Sequence, residues 1–165
     1  MQQTIKKNVR ISGTGVHLGK PVTVNIKPAP VNHGIVFKRL DVDNDKSLIK
    51  ASFKNILFGE LCTTLTNDKG VSVKTVEHLL AAFSGLGISN ALVEIDNEEI
   101  PILDGSAIKF VNPLVKAGIC KQNSPLDLCS VKKTIDVLNK YGWVKFEPAS
   151  DLKLIVEIDY PNTCI

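Results

Sequence analysis

Lys74-Thr75-Val76-Glu77-His78-Leu79-Leu80-Ala81-Ala82-Phe83-Ser84-Gly85 is the stretch on which the reading of this chain turns. Val76, Leu79, Leu80 and Phe83 fall at i, i+3, i+4 and i+7, the apolar stripe of an amphipathic helix over 75–84. At roughly 100° per residue, Glu77 stands about 100° and His78 about 200° from Val76, so both leave the core stripe. An ordinary solvent face would carry Lys, Arg and Glu at that angle. Here Ala81 and Ala82 flank His78, and Glu77 is the only charge. Small residues on that side predict that a second helix, a ligand or a metal packs close. A neutral histidine can ligate zinc, and a glutamate beside it can take a proton from water on the metal. A lone Glu-His pair is more often a surface or interdomain hydrogen-bonding pair. The helical zinc motif that is strong by itself, His-Glu-x-x-His, is absent, and position 82, one turn beyond His78, is Ala82.

The rest of the composition narrows the class. The 165 residues are 44% hydrophobic and 22% charged, which suits a globular protein of one or two small domains with a real core. A net charge of +3 and 5% aromatics, with no Lys/Arg run interleaved with aromatics, give no support for nucleic-acid binding. The start, Met-Gln-Gln-Thr-Ile-Lys-Lys-Asn, lacks the apolar run of a signal peptide, and no transmembrane segment is expected. Cys62, Cys120, Cys129 and Cys164 have no Cys-x-x-Cys spacing and read as reduced thiols, so the expected compartment is the cytoplasm.

Upstream of the helix, residues 4–12 read as one strand, broken at Ser12-Gly13-Thr14-Gly15, and Val22, Val24 and Ile26 alternate in a second. The intervening turn is not a phosphate loop: Gly-x4-Gly-Lys would need glycine at Thr14, and Pro21 stands at the magnesium-binding Ser/Thr position. It does carry His17, which reads as an exposed turn histidine. His33 sits in the turn before a third strand, Ile35-Val36-Phe37, and residues 41–50 read as polar loop. Residues 62–66 and 71–74 form a hairpin around Asn67-Asp68-Lys69-Gly70, which places Cys62 near the start of the helix and beside His78.

Downstream, Gly85-Leu86-Gly87 ends the helix. Ala91–Ile95 and Ile100–Leu103 read as a hairpin across Asp96-Asn97-Glu98-Glu99, and a second helix is expected over 107–118 with a kink at Pro113. Asp104 is placed to cap it, or to accept a hydrogen bond near a metal. After the polar linker 121–125 come three expected strands, 131–138, 142–147 and 152–158, joined by Asn139-Lys140-Tyr141 and Pro148-Ala149-Ser150-Asp151. A meander with nothing packed on it is half a domain, so residues 1–123 are expected to be a complete first α+β domain and 124–165 the start of a truncated second one.

Several motifs in order resemble one enzyme family. Gly15-Val16-His17-Leu18-Gly19, Leu61-Cys62-Thr63-Thr64, Thr75-Val76-Glu77-His78-Leu79, Gly85-Leu86-Gly87-Ile88 with Asn90, and Ile100-Pro101-Ile102 with Asp104-Gly105-Ser106 resemble the bacterial UDP-3-O-acyl-N-acetylglucosamine deacetylases of lipid A synthesis. The resemblance runs through residues 1–125, and the meander matches the start of the family's second domain. It implies an α+β fold of two similar domains in a sheet-helix-helix-sheet sandwich, with the far face of the 75–84 helix turned to the cleft between them. It implies Zn2+ as cofactor, His78 as a ligand and Glu77 as the general base. Leu61 and Cys62 match residues beside the site, and His17 and Asp104 match polar positions near it.

The family's remaining ligands lie in a His-Lys-x-x-x-Asp stretch of its second domain, and its general acid is a later histidine. This chain has only His17, His33 and His78. The resemblance therefore implies an N-terminal fragment of a zinc hydrolase that removes acetate from UDP-3-O-acyl-N-acetylglucosamine, its partner being the missing C-terminal half. The competing readings are a non-catalytic remnant that binds a sugar nucleotide or a protein partner, and a structural α+β module.

Overall fold

Val22, Val24 and Ile26 point one way because the pleat alternates, and burying that row is what organises the first 126 residues. The structure, a computed structural model, describes residues 1–59, 61–140 and 142–158. In chain order the strands begin with β1 (Gln3–Ile5), β2 (Val9–Thr14), β3 (Pro21–Pro28), β4 (Ile35–Arg39), β5 (Leu48–Lys50) and β6 (Ile56–Leu57). They continue with β7 (Thr64–Thr66), β8 (Ser72–Val73), β9 (Ala91–Ile95), β10 (Ile119–Lys121), β11 (Ile135–Asn139) and β12 (Gly142–Phe146). Helix α1 spans Glu77–Leu86 and α2 spans Ile108–Ala117. The chain divides into two compact units, Met1–Leu126 and Asp127–Ile165.

The first unit is a mixed α/β fold of the α+β kind. Its main sheet has the order β2-β3-β9-β4-β5, antiparallel except for the parallel pair β4 and β9. Val24, Ile26, Phe37, Val93 and Ile95 are wholly buried on one face and share a core with Leu79 and Phe83 of α1 and Phe110 and Leu114 of α2. Each such side chain contributes about 1.5–3 kcal/mol by leaving water, so the two helices are held by their inner faces. A small sheet, β6-β7-β8, leads into α1, and β1 pairs with β10.

The expected helix is present with its start shifted. Thr75 lies at φ 59° and Val76 is the N-cap, so regular helix begins at Glu77. Gly87, at φ 69°, closes it, and its N–H reaches the carbonyls of Phe83 and Ser84. Val76, Leu79 and Phe83 are buried as the periodicity predicts, but Ala82 belongs to the core, not to the face of His78. The small exposed residues on that face are Ala81, Ser84 and Gly85.

Other expectations need correction, and pairing explains most of them. The strand expected over 4–12 is two strands, because β1 pairs with β10 whereas β2 pairs with β3. The hairpin expected between 91–95 and 100–103 does not form, since β3 and β4 already occupy both edges of β9. Residues 98–102 run elsewhere: Lys74 N–H donates to the Glu98 carbonyl, Ile100 N–H to Lys74, and Ile102 N–H to Thr14. The 41–50 loop contains a 3-10 turn at Asn44–Lys46 and the edge strand β5, pinned by the fully buried Ile49. Helix α2 continues as one segment through Pro113, anchored on either side by Phe110 and Leu114.

In the second unit β11 and β12 form an antiparallel hairpin, Ile135 opposite Phe146 and Asn139 opposite Gly142. The third expected strand, 152–158, joins no ladder among the described residues, and Leu152, Leu154 and Val156 stand exposed. Tyr141 of the expected turn and Pro161-Asn162-Thr163-Cys164-Ile165 lie outside the described residues. No helix among the described residues is long and apolar enough to cross a membrane.

The 121–125 segment is not a free linker. Gln2 N–H donates to the Ser124 carbonyl and Gln122 N–H to the Gln2 carbonyl, while the Gln2 amide group reaches Asn32, Ser124 and Pro125. At the centre of this uncharged clasp is the buried Asn90. Its Nδ2 donates to Gln2 Oε1 at 2.8 Å and Gln122 Oε1 at 2.7 Å, and its Oδ1 accepts from Gly34 N–H at 2.8 Å. Replacing Asn90 by alanine leaves Gln122 Oε1 and the half-buried Gly34 N–H without that partner, while Gln2 Oε1 keeps the Asn32 N–H, so Asn90→Ala is expected to lose about 2–3 kcal/mol in urea unfolding at unchanged slope. A loss below about 0.5 kcal/mol would show that the clasp carries no stability.

Candidate active site

Glu77 and His78 open α1, and both are half-buried. The strand register of β7 against β8 brings the chain before β7 across this helix start. Thr63 N–H donates to Glu77 Oε2 at 3.2 Å, and Val76 N–H donates to the Thr63 carbonyl at 3.3 Å. One carboxylate oxygen is thereby held, while the other has no partner among the described residues. The His78 imidazole makes no hydrogen bond among the described residues.

Cys62, expected beside His78, directly precedes the Thr63 amide that meets Glu77, and its thiol lies 3.6 Å from Thr64 Oγ1. Leu61 is 88% exposed and sits at φ 72°. His17 is exposed, but its backbone is not free: the amides of His17 and Leu18 donate to Glu99 at 2.9 and 2.8 Å. His33 is half-buried, with Nδ1 3.0 Å from the Gly34 carbonyl.

Asp104 does not cap α2, whose N-cap is Ala107. Instead Asp104 Oδ1 accepts from Ser106 Oγ at 2.8 Å and Ser106 N–H at 3.1 Å, an Asx-type turn leading into the helix. The Ser106 side chain, then its backbone amide, holds the Asp104 carboxyl below the usual range. Contacts between Pro101, Leu103 and Gly13, and the Ile102-to-Thr14 bond, place the 101–104 segment along the end of β2 beside the His17 turn.

Of the four non-glycine residues with positive φ among the described residues, Leu61, Thr75 and Leu103 lie within two positions of candidate residues: Cys62, the Glu77–His78 pair and Asp104. Such conformations cost about 1–3 kcal/mol each and persist where surrounding contacts over-determine them. Thr75 is the most constrained, being β-branched and buried, and its Oγ1 donates to Glu99 Oε1 at 3.0 Å.

Glu99 is the residue that sequence reasoning passed over, as one of four turn residues. It is 2% exposed and has no Lys or Arg partner among the described residues. Its neighbour Glu98 faces outward, with Lys74 Nζ at 3.2 Å and Ser72 Oγ donating at 3.1 Å. The only hint in the sequence is position: Ala91, Val93 and Ile95 face inward, and 99 has the same parity.

The donor set does not by itself fit a zinc ion. Protein zinc sites gather three or four N, S or O donors, and among the described residues no group of three His, Cys, Asp or Glu converges. His78 is one donor.

The sequence profile of the UDP-3-O-acyl N-acetylglycosamine deacetylase (LpxC) family matches residues 2–165. The chain belongs to this family. It is 43% identical over 164 residues to the UDP-3-O-acyl-N-acetylglucosamine deacetylase of Shewanella violacea, covering 99% of this chain and 53% of that protein. The enzyme of the same description from Pseudoalteromonas atlantica is 41% identical over 99% of this chain and 54% of its own length. That from Actinobacillus succinogenes is 42% identical, covering 99% and 53%. The chain thus spans about half the length of the curated relatives it matches.

The buried Glu99 predicts a pH dependence. Burial, the largest single influence, pushes its pKa up, but the His17 and Leu18 amides and the Thr75 hydroxyl together outweigh it and hold the pKa below 4.5. A carboxyl whose native pKa is depressed contributes stability that is complete above its unfolded value and lost as pH falls through the native one. Thermal midpoints should fall between about pH 5 and about pH 3, and Glu99→Gln, less stable near neutrality, should fall less over the same interval. Parallel curves for the two proteins would assign the acid loss to other carboxylates, such as Asp41 and Asp104.

Proposed function

We propose that this chain is the portion of a UDP-3-O-acyl-N-acetylglucosamine deacetylase that carries the general base and one ligand to a catalytic zinc ion. The observation that carries the proposal is the held carboxylate of Glu77 next to the imidazole of His78, at a strained helix start, in a chain of this family. Hydrolysis of an acetamide needs a water oxygen to add to the carbonyl carbon while its proton is removed. The C–N bond then breaks as a proton reaches nitrogen, giving acetate and a free amine. Glu77 suits the first transfer: the Thr63 amide fixes one oxygen, and the other can receive the proton.

His78 would hold zinc together with donors from outside residues 1–165, and the proton for the leaving nitrogen would come from there too. Leu61 and Cys62 would border the substrate, with His17 and Asp104 as polar groups further out. Residues 1–123 would form the first α+β domain and 124–165 begin a second. The cytoplasm is the proposed compartment, supported by free cysteines at Cys62, Cys120 and Cys129.

Residues 1–165 alone should show no release of acetate from the substrate. Zinc-dependent turnover by this chain in isolation would overturn the ligand count. In the longer protein containing this half, His78→Ala should lose bound zinc and activity together. Glu77→Gln should keep its zinc while turnover falls by about 10²–10⁴, the range of general acid–base catalysis. Metal analysis beside steady-state rates decides it. Loss of zinc in both variants would make Glu77 a ligand or a prop, and a longer protein that binds UDP-sugar without hydrolysing it would favour the non-catalytic reading.

A further inference from the structure

The buried carboxylate of Glu99 has a role that neither its place in the chain nor the chemistry above assigns. We propose that Glu99 is a positioning residue, which clamps the His17 turn to the Thr75 bend so that His17 and the Glu77–His78 pair are held as one unit. The carboxylate spans two segments far apart in sequence. Oε1 takes the His17 amide at 2.9 Å and the Thr75 hydroxyl at 3.0 Å, and Oε2 takes the Leu18 amide at 2.8 Å. Two successive amides aimed at one anion form a nest of the kind that binds phosphate in other proteins; here the chain fills it with its own carboxylate.

Close packing shows that the fit is specific. A Cβ on Gly15 would lie 2.2 Å from Glu99 Oε2, so the turn can approach only because residue 15 is glycine. On the other side, Lys74 is bonded to the 98–100 backbone through both its N–H and its carbonyl. Thr75 is therefore held at its backbone by this ladder and at its hydroxyl by Glu99, two residues before the pair. A neutral apolar residue would fill the space more cheaply, since a buried charge costs several kcal/mol to desolvate. What it could not do is grip two amides and a hydroxyl at once.

The role rests on the deacetylase reading only for its kinetic consequence, so the test has two arms. The first uses residues 1–165 and amide and imidazole NMR. In Glu99→Gln, exchange of the His17 and Leu18 amides should quicken at least about tenfold, and the His78 ring and amide resonances should move with them, while Val24 and Phe37 keep their protection. Loosening of the His17 turn with His78 unmoved overturns the proposal, and so does a uniform loss of protection throughout the fold. If Glu99→Gln does not fold, Thr75 decides: Thr75→Val should move the His78 resonances and Thr75→Ser should not, and equal behaviour of the two overturns the clamp.

The second arm uses the longer protein. Glu99→Gln should lower kcat about 10- to 100-fold, the scale of an ångström-sized misplacement, with KM within about twofold. A raised KM at unchanged kcat overturns the positioning role. A wild-type protein that releases no acetate removes the deacetylase reading instead, and the NMR arm then judges Glu99 by itself.

Discussion

A buried carboxylate with no Lys or Arg partner among the described residues, Glu99, ties the 15–19 turn to the Thr75 bend that precedes α1. Charge-assisted hydrogen bonds are roughly twice as strong as neutral ones, and inside a protein their strength is not diluted by water. Three of them converge here, from His17, Leu18 and Thr75. Without that anion the 15–19 turn would have two buried-side amides to satisfy, and Thr75 would have less to hold it in a left-handed conformation that β-branched residues avoid. The start of α1, with Glu77 and His78, follows directly from that bend.

The opposite solution appears at the other end of the main sheet. There Gln2, Asn90, Gln122 and the Gly34 amide satisfy one another without any charge, joining β1, β9 and the segment after β10. A side-chain amide both donates and accepts, so it can close a network among several strands, whereas a carboxylate can only accept. The clasp needs both functions because carbonyls and N–H groups meet there. The Glu99 nest needs only an acceptor, because every group aimed at it is a donor.

Glu77 and His78 contribute one carboxylate and one imidazole to the candidate site. Both lie on α1, anchored by Leu79 and Phe83, and the Thr63 amide holds one Glu77 oxygen from the segment before β7. Rigid elements and strained bends surround the site: Leu61, Thr75 and Leu103 each stand at positive φ within two positions of a candidate residue. At Thr75 and Leu103 the neighbouring backbone is held by the pairing of 98–102 with Lys74 and Thr14, a path the chain takes because both edges of β9 are filled.

Much of this was legible in the sequence. Period-2 alternation marked β3, period 3.6 marked α1, and Gly87 marked its end, because these signals are local and set by which face meets the core. The motifs around His17, Cys62, Glu77–His78 and Asp104 carried the family resemblance, since residue types at fixed spacing survive without any knowledge of the fold. What the sequence could not decide was pairing. The split of 4–12 into β1 and β2, the diversion of 98–102 away from β9, and the edge strand at Leu48–Lys50 depend on which strands compete for which edges. Glu99 was hidden for the same reason. Its partners lie 24 and 82 residues away in the chain, and a glutamate in a turn reads as a solvated charge until the folded chain encloses it among donors.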